Sequence, residues 1–269
     1  MEVSFLLEIK NIKIGDGHPK MCVPITGETT EEIAEQANLA KQSVAEIVEW
    51  RADLFNESEE INDMMETLEM IAGILPEKIL LFTFRSVEEG GNRPVSLKMY
   101  HDVCLAAAGT QKVDLIDIEF GKVEFLGRKF VQDLKIQGVK IIMSSHDYDQ
   151  TPEDATMIYR IGVMNQFGAD IGKIAAMPHN LQDVLRMMNI VSRARAFNEL
   201  PIATISMSDL GKASRITGEI TGSVLTFGSL EEAQGSAPGQ IPIDELQFIL
   251  QTLHVKDQQV NSNQVSSNE

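Results

Sequence analysis

Cysteine is almost missing from this chain, with two in 269 residues. Cys22 and Cys104 each lie in an apolar stretch, and neither belongs to a CxxC pair or any other metal-ligand spacing. A disulfide framework is therefore excluded, and two unpaired thiols suit a reducing compartment, which makes the cytoplasm the expected setting. Cations are also scarce, with 23 Lys and Arg against 40 Asp and Glu, a net charge of −17. That sign excludes nucleic acid as a general partner, because phosphate neutralisation needs basic patches. A small anionic substrate is still admitted, since a few arginines in a pocket can grip a carboxylate inside an acidic protein.

Long hydrophobic runs are absent too. No segment approaches the roughly 20 apolar residues that cross a bilayer. The short run Val3–Leu7 lies between Glu2 and Glu8, without the basic start and apolar length of a signal peptide. No membrane partner is expected. Gly90-Gly91 follows Glu88-Glu89 and opens no phosphate loop, while His18, His101, His179 and His254 share no ligand spacing. Neither a metal nor an organic cofactor is expected.

What is present is an alternation. Hydrophobic residues make up 43% of the chain, enough for a sizeable core at this length. Strand-like segments fall at Met21–Thr26, Ile47–Asp53, Ile79–Arg85, Leu115–Glu119, Val139–His146, Ala169–Ala175, Ile202–Met207 and Ser223–Phe227, with helical patterns between them. Their apolar richness on both faces predicts a parallel sheet covered on both sides. Thr29-Thr30-Glu31-Glu32 reads as a helix start running to about Val44. Thr151-Pro152-Glu153-Asp154 reads as a cap with proline in the first helical position, and Asp244-Glu245 opens a last helix to about His254. Eight such units close a (β/α)8 TIM barrel of the α/β class; a doubly wound open sheet is the alternative. Val3–Ile9 and Ile12–Ile14 predict an N-terminal β-hairpin (about 3–14) covering the lower end of the barrel. Residues 1–255 are expected to form one barrel domain, and 256–269 a disordered polar tail.

The ionisable residues gather at the carboxyl ends of these strands, where barrel enzymes carry their sites. Period-two alternation puts Glu49, Arg51 and Asp53 on one face, Thr83 with Arg85, and Asp117 with Glu119. Burying unpaired charge is costly, so such residues either pair in a structural ion network or serve chemistry. Lys173, between Gly172 and Ile174, is placed to lose its charge by desolvation and act as a nucleophile. His146 ends its strand beside Asp147, a position for a general acid/base. Arg215 follows Ser214 in the loop after the seventh strand, and Ser236-Ala237-Pro238-Gly239-Gln240 follows the eighth; late barrel loops commonly hold an anion. The span from Ser229 to Gln240, with Gly235, Pro238 and Gly239, reads as a hinged lid.

Taken in order, Glu49-Trp50-Arg51-Ala52-Asp53, Phe84-Arg85-Ser86 with Glu88-Glu89-Gly90-Gly91, Asp117-Ile118-Glu119, Ser144-Ser145-His146-Asp147, Lys173-Ile174-Ala175, Ser214-Arg215 and Ser236-Ala237-Pro238-Gly239-Gln240 resemble the type I 3-dehydroquinate dehydratases, Schiff-base enzymes of the shikimate pathway. Each piece alone is weak; the ordered set, over about residues 20 to 250, is specific. The resemblance implies that Lys173 forms an imine with the C3 ketone of 3-dehydroquinate. It implies that His146 takes a C2 proton and later protonates the departing C1 hydroxyl, with Glu89 orienting it. It further implies that Arg215, Ser236 and Gln240 hold the carboxylate, that Glu49, Arg51 and Arg85 bind ring hydroxyls, that Asp117 and Glu119 support the lysine and histidine, and that the protein is a homodimer. One departure is that Gln234-Gly235 stand as two additional residues ahead of Ser236. Two other readings compete: a class I aldolase-type barrel, which would want phosphate-binding glycines in the late loops, and a non-catalytic barrel binding a shikimate-like ligand, against which Lys173 and His146 argue.

Overall fold

A computed structural model describes residues 6–230 and 236–254. Two three-residue strands, β1 (Leu7–Ile9) and β2 (Ile12–Ile14), pair antiparallel as the expected hairpin, turning at Lys10 with φ 53°. Eight parallel strands follow: β3 (Lys20–Ile25), β4 (Ile47–Arg51), β5 (Ile79–Thr83), β6 (Leu115–Glu119), β7 (Lys140–Asp147), β8 (Ile171–Ala176), β9 (Ile202–Ser206) and β10 (Leu225–Phe227). They are ordered β10-β3-β4-β5-β6-β7-β8-β9. The seam between β9 and β10 is bridged where Val224 N–H donates to Ile202 O (2.9 Å) and Thr204 N–H to Ser223 Oγ (3.0 Å). The barrel expected from the alternation is thus the observed architecture, and the open sheet is set aside.

Two apolar clusters explain why the strands are hydrophobic on both faces. Val48, Trp50, Leu80, Phe82, Ile116, Ile118, Ile141 and Met143 point outward and pack against the helices. Cys22, Ile47, Ile79, Leu115, Ile142 and Ile171 point into the lumen, where Ile9 and Ile14 of the hairpin close them off from below. Fully burying one such aliphatic side chain contributes about 1.5–3 kcal/mol. Several lumen rows begin apolar and end polar. Ile47, Glu49 and Arg51 alternate on β4; Leu115, Asp117 and Glu119 on β6; Ile171 and Lys173 on β8. The lower half is therefore a packed floor, and the upper half carries charge from β4 to β8 against apolar side chains of β9 and β10.

The helices are α1 (Thr30–Gln42), α2 (Ile61–Ile74), α3 (Leu97–Gly109), α4 (Phe120–Ile136), α5 (Asp154–Phe167), α6 (Leu181–Arg195), the short α7 (Lys212–Ile216) and α8 (Gly218–Thr221), and α9 (Ile243–Leu253). α1 starts with the capping box read from sequence: Thr29 Oγ1 accepts from Glu32 N–H while Glu32 Oε2 accepts from Thr29 N–H. The start read for α5 needs correcting. Thr151 does not cap it, and Pro152 is not its first residue; the helix begins at Asp154. Thr151 Oγ1 instead donates to Met177 O (3.0 Å), which holds the loop against the end of β8. The ends of β4 and β5 also differ slightly from expectation: Asp53 lies in a 3-10 turn (Ala52–Leu54) and Arg85 just past β5, so both sit on the rim rather than in the ladder. Residues 3–5 of the expected hairpin, the extra Gln234-Gly235, part of the expected lid and the expected 256–269 tail lie outside the described residues.

Candidate active site

The open upper end of the barrel is a pocket walled by Glu49, Arg51, Arg85, His146, Tyr148, Lys173, Arg215, Ser236 and Gln240, with Ala175, Ile205, Met207, Phe227 and Ala237 as apolar lining. Of the nine residues singled out as catalytic or substrate-binding, eight line it, and Glu89 stands directly behind one of them.

Lys173 is 4% exposed on β8. Its Nζ is 3.3 Å from Asp117 Oδ2 and 4.4 Å above the centre of the Phe227 ring. The register sets Ser144 of β7 and Ala203 of β9 beside it. Asp117 is the hub of the cation network: its Oδ1 accepts from Arg85 Nη2 (2.8 Å) and from Ser144 Oγ (2.6 Å). Arg85 also donates to Ser144 Oγ (3.0 Å) and Glu119 Oε1 (3.3 Å). Glu119 is fixed in turn by Ser86, whose N–H and Oγ–H donate at 2.7 and 2.6 Å. Burial raises the cost of Asp117's charge, but Arg85 and Lys173 outweigh it and hold its carboxyl below the usual range.

His146 is held by Glu89. Glu89 Oε2 lies 2.8 Å from His146 Nδ1 and accepts the His146 backbone N–H at 3.0 Å. Glu89 reaches this place because a 3-10 turn (Val87–Glu89) folds back after β5. The turn closes on Gly90, at φ 84°, and on Gly91, where any Cβ would stand 2.0 Å from Arg85 O. Burial disfavours charge on both partners. It pushes the Glu89 carboxyl up to about 8, against the pull of Arg85, and pushes the His146 imidazole well below 6.5, helped by the fields of Arg85, Lys173 and Arg51. With its proton on Nδ1, donated to Glu89 Oε2, the neutral imidazole presents Nε2 as a base.

The remaining polar walls divide into paired and unpaired groups. Arg51 is bidentate to Asp53 (2.7 and 2.8 Å), and Glu49 Oε1 accepts from Thr83 Oγ1 (2.8 Å). Arg215, on α7, is 2% exposed but meets no carboxylate among the described residues. Its Nη1 and Nη2 donate to Phe227 O (3.3 Å) and Pro238 O (3.0 Å), and its Nε has no partner among the described residues. Burial accordingly lowers its pKa to about 10. Gln240 Oε1 accepts from Ser236 N–H (2.8 Å) and its Nε2 donates to Ser236 Oγ (3.2 Å), so these two form one unit.

Several contributors escaped the sequence reading. Ser214 does not face the pocket: its Oγ accepts from Ser206 N–H (2.9 Å) and donates to Gly211 O (2.8 Å), pinning α7 so that Arg215 points inward. Asp53 works as the counter-ion of Arg51, Ser144 as a bridge, and Tyr148 as a wall lying over Gly90. Only the motif Ser-Ser-His-Asp hinted at Ser144; nothing in sequence pointed to Tyr148.

Chemically, the pocket joins a buried primary amine, a neutral imidazole braced by a carboxyl, and a buried guanidinium with no anion among the described residues. Residues 21–257 match the family model described as type I 3-dehydroquinase. The chain is similar to the 3-dehydroquinate dehydratase of Listeria innocua, 39% identical over 246 residues that cover 91% of this chain and 97% of that one. It is similar to the protein of the same name from Syntrophotalea carbinolica, 40% identical over 251 residues, covering 93% and 98%. Among solved structures, the type I 3-dehydroquinate dehydratase of Clostridium difficile superposes with a TM-score of 0.88 at 39% identity, covering 93% of this chain and 97% of that one. That of Geobacillus kaustophilus gives 0.88 at 31%, covering 92% and 96%.

Proposed function

The chain belongs to the type I 3-dehydroquinase family, and on that premise we propose that Lys173, His146 and Glu89 are the residues that carry its reaction. The reaction is a hydro-lyase step of the shikimate pathway, the dehydration of 3-dehydroquinate to 3-dehydroshikimate through a lysine Schiff base.

In this reading Lys173 gives up a proton and its amine attacks the C3 ketone; that proton and one from the amine nitrogen carry the carbonyl oxygen away as water, leaving a protonated imine. The resulting iminium accepts the electron pair of the C2–H bond as His146 Nε2 takes the proton, giving an enamine. An iminium draws electrons far more strongly than a ketone, which lets an imidazole deprotonate this carbon near neutral pH. The enamine then expels the C1 hydroxyl, which leaves as water on the proton that His146 returns. Water hydrolyses the conjugated imine and frees Lys173. Glu89 is a positioning residue that holds Nδ1 and stabilises the imidazolium as it forms. Asp117, between Lys173 and Arg85, supplies a counter-charge to the iminium.

Arg215, with Ser236 and Gln240, takes the substrate carboxylate; Glu49, Arg51 and Arg85 take the ring hydroxyls. The observation that carries this assignment is the contrast among the cations. Arg51, Arg85 and Lys173 each touch a carboxylate, whereas Arg215 touches main-chain carbonyls alone among the described residues.

The same proposal takes residues 1–255 as one barrel domain working as a homodimer in the cytoplasm. Two buried free cysteines, which suit a reducing compartment, support the cytoplasm, and the dimer rests on the family resemblance. Sedimentation velocity reads the dimer directly. For the chemistry, incubation with 3-dehydroquinate should raise enone absorbance. Borohydride added during turnover should leave one adduct, located at Lys173 by peptide mass spectrometry. An adduct at another lysine would sink the assignment.

A further inference from the structure

At the opposite end of the barrel from the pocket, three residues with no shared sequence spacing converge. His18 precedes β3, Glu219 lies on α8, and His254 follows the last turn of α9. Their ligand atoms all lie within 4.8 Å of one another. The two imidazoles address one carboxylate, each through Nδ1: His18 is 3.1 Å from Glu219 Oε2, and His254 is 3.0 Å from Glu219 Oε1. Two donor atoms bound to one tetrahedral zinc, at about 2.0–2.1 Å each, stand roughly 3.3 Å apart, so these spacings already approach those of a ligand set.

Two further observations separate this group from a chance surface cluster. His18 Nδ1 is buried within a half-exposed side chain and, among the described residues, meets only Glu219 Oε2, in a geometry that falls short of a hydrogen bond. A buried polar atom in that state is rare and calls for a missing partner. The approach is also built into the backbone. Pro19 packs against Gly218 so closely that a Cβ there would meet Pro19 Cγ at 2.8 Å. Glycine at 218 and proline at 19 thus set the neighbouring Glu219 and His18 side by side. The His18 and His254 rings stand 4.3 Å apart at 42°, so both imidazoles crowd the same carboxylate.

We propose that His18, Glu219 and His254 form a binding site for a borderline divalent transition metal, Zn²⁺ or a neighbour in that series, with water completing the shell. Two imidazole nitrogens select such an ion over Mg²⁺ or Ca²⁺, which prefer all-oxygen sites. One dication would sit between the two imidazole nitrogens and the Glu219 carboxylate. It would also pin the end of α9 to the segment entering β3, joining the last helix of the barrel to its first strand. The site is structural and remote from the chemistry.

The test uses full-length, tag-free protein stripped with chelator and titrated with Zn²⁺, and in parallel with Co²⁺. The native chain should take up one ion, gain a Co²⁺ visible absorption band of nitrogen-ligated type, and show a higher Tm with Zn²⁺. His18→Ala, His254→Ala and Glu219→Gln should each weaken Zn²⁺ binding by about tenfold or more and erase the band. Dehydratase turnover and the far-ultraviolet circular dichroism should stay unchanged. Glu219→Gln keeps the side-chain volume and guards against a folding artefact. Equal Zn²⁺ affinity in the native and His18→Ala/His254→Ala proteins, or no stoichiometric uptake by the native chain, overturns the proposal.

Discussion

Replacing Arg215 with glutamine tests the anion site most sharply. The guanidinium is buried, bonded among the described residues only to two main-chain carbonyls, and depressed to a pKa of about 10. At about 1.4 kcal/mol per pH unit, that depression corresponds to roughly 3 kcal/mol of desolvation that no anion of the described residues repays. A substrate carboxylate binding in bidentate fashion repays it. A hydrogen bond to a charged group contributes about 1.5–3 kcal/mol, so Arg215→Gln should raise KM by about 10- to 150-fold. The carboxylate contact exists in ground state and transition state alike, so kcat should change far less. The stability signature runs opposite to that of a structural arginine. Removing an unpaired buried charge offsets the loss of two carbonyl hydrogen bonds, each about 1 kcal/mol, so the Tm of the free protein should barely move. Product should raise the native Tm and leave that of the variant nearly still. Steady-state kinetics and thermal shift, with and without product, read all of this. A KM within about threefold of native, or a large Tm loss in the free variant, would refute the reasoning.

The two catalytic assignments separate by labelling: Lys173→Ala should lose both turnover and borohydride-trapped adduct. His146→Ala should lose turnover by about 10²–10⁴ yet still trap substrate on Lys173, as intact-mass spectra will show. The acid limb of kcat/KM should fall below pH 6.5, because burial and three nearby cations keep His146 neutral and activity is lost only as pH drops through that depressed value; a limb above 6.5 contradicts it. Gly91→Ala should lower stability by about 1–3 kcal/mol or more, since its Cβ would sit 2.0 Å from Arg85 O. It should lower kcat as well, by shifting the turn that presents Glu89; unchanged denaturation and kinetics would show that the turn can give way.

The barrel was legible because lumen and helix faces alternate residue by residue along each strand, and α1 was legible because Thr29 and Glu32 form a local cap. Lys173 and His146 stood out because charged groups at the ends of apolar strands demand explanation. What could not be read were pairings across long separations. Asp117 meets Arg85 32 residues away, and His146 meets Glu89 at 57. The role of Ser214 depends on where β9 ends, and the start of α5 on a bond from Thr151 to the next strand. His18 and His254 lack any spacing signal because the fold, not the chain, makes them neighbours.

The hairpin floor makes the lumen a blind well. Ile9 and Ile14 close the described lower end, so every molecule entering must leave through the same mouth. The proposed reaction handles water three times, releasing it at imine formation, releasing it again from C1, and consuming it at hydrolysis. In that reaction the oxygen expelled from C1 is released two ring carbons from the C3 that next needs it. Traffic in such a well is ordered: the expelled water is the nearest reagent for freeing the product. In single turnover, heavy oxygen placed at the C1 hydroxyl should therefore reach the product ketone ahead of solvent oxygen.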